Sequence, residues 1–137
     1  MCGFLTVGSK ELEIDVFDEA LGKIEGRGPD MIETSRLFDK TFGFNRLAIM
    51  DLSEKGMQPF SDDHTIVVCN GEIYNYPELK KNIMDEYTFK SSSDCEVLIP
   101  LYRKYGLDVI EKLKEYTPSQ RFAVYLIKHK GQAFLYN

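Results

Sequence analysis

Cys2, directly after the initiator Met1, and the polar stretch Asn70-Gly71-Glu72-Ile73-Tyr74-Asn75-Tyr76 are the groups in this chain with the most chemistry to offer. A cysteine freed at the amino terminus has two tools on one residue. Its thiol attacks a carbonyl carbon, and its α-amine, with a pKa of roughly 8, shuttles the thiol proton. Together with a dense run of hydrogen-bonding groups, this pairing suggests amide hydrolysis. With Met1 in place the Cys2 nitrogen is an amide and cannot act as a base. A cysteine at position 2 is by itself an ordinary residue, so its meaning depends on what else the chain contains.

Further motifs occur in a fixed order: Met1-Cys2-Gly3-Phe4, Arg27-Gly28-Pro29-Asp30, Asn45-Arg46-Leu47-Ala48-Ile49-Met50-Asp51-Leu52, Gln58-Pro59-Phe60, Asn70 to Tyr76, and Ser93-Asp94-Cys95-Glu96-Val97. In this order the chain resembles the glutaminase domain of glutamine-hydrolysing asparagine synthetases, a class II glutamine amidotransferase domain. The likeness covers almost all of residues 1–137. It implies an α+β fold, the four-layer αββα sandwich of the N-terminal nucleophile hydrolases, with its C-terminal end truncated because the chain stops at Asn137, before the family's next segment. It also implies a cytoplasmic place in asparagine biosynthesis.

The resemblance assigns roles residue by residue. Cys2 would attack the side-chain amide of L-glutamine, giving a glutamyl thioester, then glutamate and ammonia. The side-chain amide of Asn70 and the backbone N–H of Gly71 would stabilise the oxyanion. Arg46 would pair with the α-carboxylate through its planar fork. The segment Leu47, Ala48, Ile49 and Met50 would line the pocket, Asp94 would receive the α-ammonium, and Glu72 would lie near the same end. Arg27 and Asp30 would shape the active-site loop. No cofactor and no metal are implied. The ammonia would go to an ATP-dependent synthetase subunit or domain, which this sequence does not contain, so the chain alone would not make asparagine.

Departures from the family pattern leave two other functions open. The family's histidines before Arg27 and before Asn45 are replaced by Gly26 and Phe44, and the join at Thr117-Pro118-Ser119-Gln120-Arg121 lacks the usual glycine. A catalytically silent glutamine-binding or interaction module would fit these changes. The same fold acting on another amide is a third reading.

The residues must be positioned by short alternating elements. Gly3 to Gly8 is apolar and reads as a strand with Cys2 at its tip. Leu12, Val16, Ala20 and Ile24 recur near helical spacing, and Gly26 to Pro29 ends that pattern. Phe42 to Leu52 and Thr65 to Cys69 are strand candidates. Asn70-Gly71 after a strand fits either a tight turn or a site. Pro77 suits a first helical turn, with Tyr76, Leu79, Lys80, Ile83 and Met84 on one face. Ser93 and Glu96 form a capping-box pattern, which also explains Asp94 as a first-turn acid. Pro100 should kink or shorten that helix. Phe122 to Lys128 and Gln132 to Tyr136 read as a hairpin joined through Gly131.

Composition narrows the classes. At 137 residues, with 43% hydrophobic and 28% charged residues, the chain fits one globular domain. A net charge of -5 and scattered Lys and Arg argue against a nucleic-acid surface. No apolar stretch could span a membrane, and Met1 to Lys10 does not read as a signal peptide. Three cysteines, Cys2, Cys69 and Cys95, without metal-ligand spacing fit a reducing cytosol, with Cys69 and Cys95 as small core residues. His64 and His129 read as turn residues.

Overall fold

The computed structural model describes residues 1–8, 12–113, 123–128 and 132–136. Two antiparallel sheets organise it. In the first, β1 (Gly3–Val7) and β2 (Met31–Leu37) flank β3 (Lys40–Arg46). The second has the order β4 (Phe60–Ser61), β5 (Thr65–Asn70), β6 (Ala123–Lys128), β7 (Gln132–Tyr136). The helices are α1 (Ile14–Gly22), α2 (Tyr76–Lys81), α3 (Leu98–Tyr105) and α4 (Val109–Lys112). Lys128 pairs with Gln132 across the expected hairpin. Phe122, Gly131, His129 and the altered join at 117–121 lie outside the described residues.

The strands β3 and β5 are buried on both faces, which explains why β5 reads as an unbroken apolar run. Its Ile66 and Val68 meet Phe42 and Phe44 of β3 and Ile127 of β6 in one apolar cluster. Its Val67 and Cys69 point the other way, into a cluster with Leu79 of α2 and Leu98 and Leu101 of α3. Period-two alternation therefore serves a different neighbour on each side of the strand.

The same alternation on β3 corrects the expected face of α1. Val16, predicted to be buried, is 53% exposed, while Phe17 and Leu21 are each 1% exposed. The helix surface carries two adjacent apolar stripes, and Gly43 decides between them. A Cβ at Gly43 would lie 2.7 Å from Leu21 and 2.8 Å from Phe17, so its absence leaves the hollow that those two side chains fill.

Strand β2 is absent from the sequence reading, which has only a loop between α1 and Phe42. Its sequence, MIETSRL, has no apolar run because its side chains are exposed or half-buried, with none fully buried in the core. The turn that follows was equally hidden. Phe38 and Asp39 both take positive φ, 49° and 64°, as a two-residue hairpin turn requires, but without the usual Asn-Gly or Asp-Gly pair. Phe38 packs against the cluster between the sheets, which offsets its unfavourable backbone.

Pro77 does sit in the first turn of α2. The helix ends at Lys81, so helical spacing no longer governs Met84, which is 60% exposed instead of facing inward. The capping box forms only in half. Ser93 Oγ accepts from the Cys95 N–H at 3.3 Å, but the Glu96 carboxylate turns to the N–H groups of Lys90 (2.8 Å) and Ser91 (2.7 Å) and to the Ser91 hydroxyl (2.6 Å). Residues Asp94–Val97 form a 3₁₀ turn, and α3 starts only at Leu98. Pro100 thus shortens the α-helix without kinking it, because it falls in the first α turn, where a missing N–H is tolerated.

Gly28 is buried beside the end of β3, and a Cβ there would come within 2.2 Å of the Asn45 carbonyl oxygen. Backbone cannot yield as a side-chain tip can. Gly28→Ala is expected to destabilise the fold by about 1–3 kcal/mol, read as a lower urea midpoint with unchanged slope. An unchanged midpoint would mean that this approach is looser than described.

Candidate active site

Register places Cys2. Gly3 pairs with Asn45, so the residue before β1 meets the chain leaving β3. The Leu47 N–H lies 3.3 Å from Cys2 Sγ, and the thiol in turn lies 3.6 Å from the Leu47 carbonyl. Arg27 Nε donates to the Cys2 carbonyl at 3.1 Å, and Asp30 Oδ2 accepts from the Ala48 N–H at 2.8 Å. The Arg27-Gly28-Pro29-Asp30 run thus braces both sides of the cysteine.

β5 delivers the second group of residues. Its last residue is Asn70, and Gly71 and Glu72 follow as the chain turns toward α2. Gln58 holds this strand end: its side chain donates to the Cys69 carbonyl (3.1 Å) and accepts from the Cys69 N–H (2.6 Å), as a neighbouring strand would. Cys2, Asn70 and Gly71 open together into a cavity of about 260 Å³. Arg46, Leu47, Ile49, Met50, Glu72 and Asp94 line it as well. Ala48 does not line the cavity, and its N–H is taken by Asp30.

Two buried charges face this space. Arg46 is 3% exposed and spends its terminal nitrogens on main-chain carbonyls: Nη1 on Ser53 (2.6 Å), and Nη2 on Met50 (3.2 Å) and on Asp51. Gly56 makes room for the guanidinium, since a Cβ there would lie 2.3 Å from Nη2. These carbonyls engage the terminal nitrogens, and the nearby Asp51 carboxylate feels the positive charge. Asp94 is 5% exposed, and its Oδ2 accepts from the Ile73 N–H at 2.6 Å. Burial pushes its carboxyl above the ordinary value, while that hydrogen bond pulls the other way. No cationic side chain is among its partners in the described residues. A cavity with one buried cation and one buried anion in its wall suits a small zwitterion.

The side-chain oxygen of Asn70 is buried without a hydrogen-bond partner. Side-chain oxygens of Thr6, Ser35, Asn45 and Asn75 are in the same position, but among these five residues only Asn70 lines the cavity. Cys69 and Cys95 are both buried, as expected of core residues, but both also reach the cavity wall. Cys95 Sγ lies 3.8 Å from the Gly71 carbonyl, and contact with Cys69 together with burial raises its thiol pKa well above the ordinary range. The sequence alone assigns no role to Gln58 or Asp51. The Gln-Pro-Phe motif was the available signal for Gln58; its pairing with Cys69 is long-range and has no local signature.

Residues 1–134 match the model of the glutamine amidotransferase domain. The chain belongs to the glutamine amidotransferase domain family. This amidotransferase domain is 40% identical over 118 residues to a probable glutamine-hydrolysing asparagine synthetase of Acanthamoeba polyphaga mimivirus, an alignment covering 79% of the chain and 21% of that protein. It is 42% identical over 123 residues to the glutamine-hydrolysing asparagine synthetase 1 of Bacillus subtilis, covering 83% of the chain and 19% of the relative. It is also 38% identical over 113 residues to the amidase chry2 of Gibberella zeae, covering 78% and 16%. The domain therefore spans about a fifth of the length of the curated relatives it matches. No helix among its described residues is long and apolar enough to cross a membrane.

Proposed function

We propose that this domain hydrolyses the side-chain amide of glutamine with Cys2 as nucleophile and releases ammonia for a synthetase domain or subunit. The observation that carries the reading is the cavity holding Cys2, Asn70 and Gly71 beside the two opposite buried charges, Arg46 and Asp94. Glutamine supplies the α-carboxylate, the α-ammonium and the amide that such a cavity requires. The packing of α1 on one sheet, sheet on sheet, and α2 and α3 beyond supports the αββα layering of N-terminal nucleophile hydrolases.

Removal of Met1 turns the Cys2 nitrogen into an α-amine that takes the thiol proton as sulfur attacks the amide carbon. Oxygen becomes negative and is held by the Asn70 amide and the Gly71 N–H. The α-amine returns the proton to the departing ammonia, and water hydrolyses the thioester to glutamate. A donor aimed at the oxyanion contributes mainly in the transition state. Asn70→Ala is accordingly expected to lower kcat for ammonia release by about 100- to 1,000-fold with a small change in KM.

The assay is glutamine-dependent ammonia release by the native chain, with intact mass confirming loss of Met1. Release that depends on Asn70 supports the reading. Processed, folded protein that binds glutamine but releases no ammonia would replace it with the silent binding module. The acceptor lies beyond this domain: relatives include an asparagine synthetase and a protein named as an amidase.

A further inference from the structure

Asp51 has no role in the chemistry above, yet it contacts both Arg46 and the loop that leads to Asp94. Its backbone is left-handed, with φ at +53°, and its carbonyl accepts from Arg46 Nη2. Its carboxylate reaches two loops. Oδ1 accepts from the Ser53 N–H (3.0 Å) and the Ser53 hydroxyl (2.6 Å), a local turn that needs no further explanation. Oδ2 accepts from the Ser92 N–H at 2.7 Å, across 41 residues of sequence. Ser92 immediately precedes Ser93, the cap of the 3₁₀ turn that begins at Asp94.

We infer that Asp51 is a positioning residue that fixes the distance between Arg46 and Asp94 by holding one loop by its carbonyl and the other by its carboxylate. The inference rests on the glutamine-binding reading of those two residues and adds what sets the length of the amino acid they grip. The Ser53 hydroxyl, with the Ser92 and Ser53 amides and the nearby Arg46 charge, holds the Asp51 carboxyl below its ordinary value against the opposing effect of burial. The bridge is therefore charge-assisted at neutral pH and stronger than a neutral hydrogen bond. A grip on both ends of a zwitterion tolerates little drift, because misplacing a bound group by about 1 Å is enough to weaken its contacts severely.

The test is Asp51→Asn in the native chain freed of Met1. Asparagine tolerates the left-handed backbone and keeps one oxygen for Ser53, but turns an NH₂ group toward the Ser92 N–H. KM for glutamine is expected to rise about tenfold, as for loss of one hydrogen bond to a charged group, with kcat changed less than threefold. Alkylation of Cys2 by iodoacetamide, which has neither α-carboxylate nor α-ammonium, stays at the native rate. An unchanged KM overturns the inference, as does a parallel fall in kcat, alkylation and thermal stability, which would make Asp51 a general structural residue. Native protein that neither binds nor hydrolyses glutamine overturns the glutaminase reading instead. Hydrogen exchange at Ser92 in the native chain decides the bridge even if the variant does not fold: protection supports it, and exchange at the rate of an open amide overturns it.

Discussion

Cys2→Ala, freed of Met1 like the native chain, is expected to release ammonia from glutamine at least about 10⁴-fold more slowly, as when the nucleophile of a covalent mechanism is removed. Binding should survive, because the groups proposed to grip glutamine sit on other elements: Arg46 at the end of β3 and Asp94 in the turn before α3. The fold should survive as well. The Cys2 side chain packs only at the margin of the cluster between the sheets, and the Leu47 N–H that loses sulfur borders the cavity, where water can replace it. The native chain with Met1 retained is the companion measurement. Its thiol is present and its base is missing, so it should bind glutamine and turn it over far more slowly than processed chain. Equal turnover by the two forms would remove the α-amine from the mechanism, and turnover by Cys2→Ala within tenfold of native would remove Cys2.

Much of this arrangement was legible because its signals are local. β5 and the C-terminal hairpin announce themselves by β-branched and aromatic runs, and Pro77 by its fitness for a first helical turn. The residues lining the cavity were legible through motif order: Cys2, Arg46, the adjacent pair Asn70 and Gly71, and Asp94 lie far apart in sequence, and only the fold brings them to one cavity. What stayed hidden depends on partners distant in sequence. The choice between Val16 and Phe17 as the buried stripe of α1 rests on Gly43, a strand residue. Glu96 obeys a capping-box pattern, yet its carboxylate is drawn to the Lys90 and Ser91 amides, a loop that the pattern ignores. Asp51 reads as a turn former and is one, but its contact with Ser92 belongs to a different part of the chain. Strand β2 lacks an apolar run because none of its side chains is fully buried.

Asp94→Asn is expected to raise the dissociation constant for glutamine by about 10²-fold to nearly 10⁴-fold, while leaving the empty domain as stable as the native one, or more so, at neutral pH. The two effects share one cause. Asn keeps an oxygen for the Ile73 N–H, so the local hydrogen bond is retained, but the α-ammonium then enters a buried site without a counter-charge, and an unpaired buried charge costs about 3–5 kcal/mol. In the empty native domain the cost falls on Asp94 itself. Burial raises its folded pKa above the ordinary 3.8, so the folded state binds a proton more readily than the unfolded state does. Ionised Asp94 therefore lowers stability at neutral pH, and that penalty fades as pH falls through the raised value, disappearing below 3.8. The stability difference between native and Asp94→Asn should shrink over that window. Glutamine reverses the balance: its ammonium holds Asp94 ionised, so binding within the window releases a proton, and native affinity weakens as pH falls while the variant's does not. Calorimetric titration in buffers of different ionisation enthalpy reads that proton directly. Native-like affinity in Asp94→Asn would mean that the ammonium sits elsewhere, leaving Asp94 as a buried acid held by the Ile73 and Cys95 amides and the Cys95 thiol.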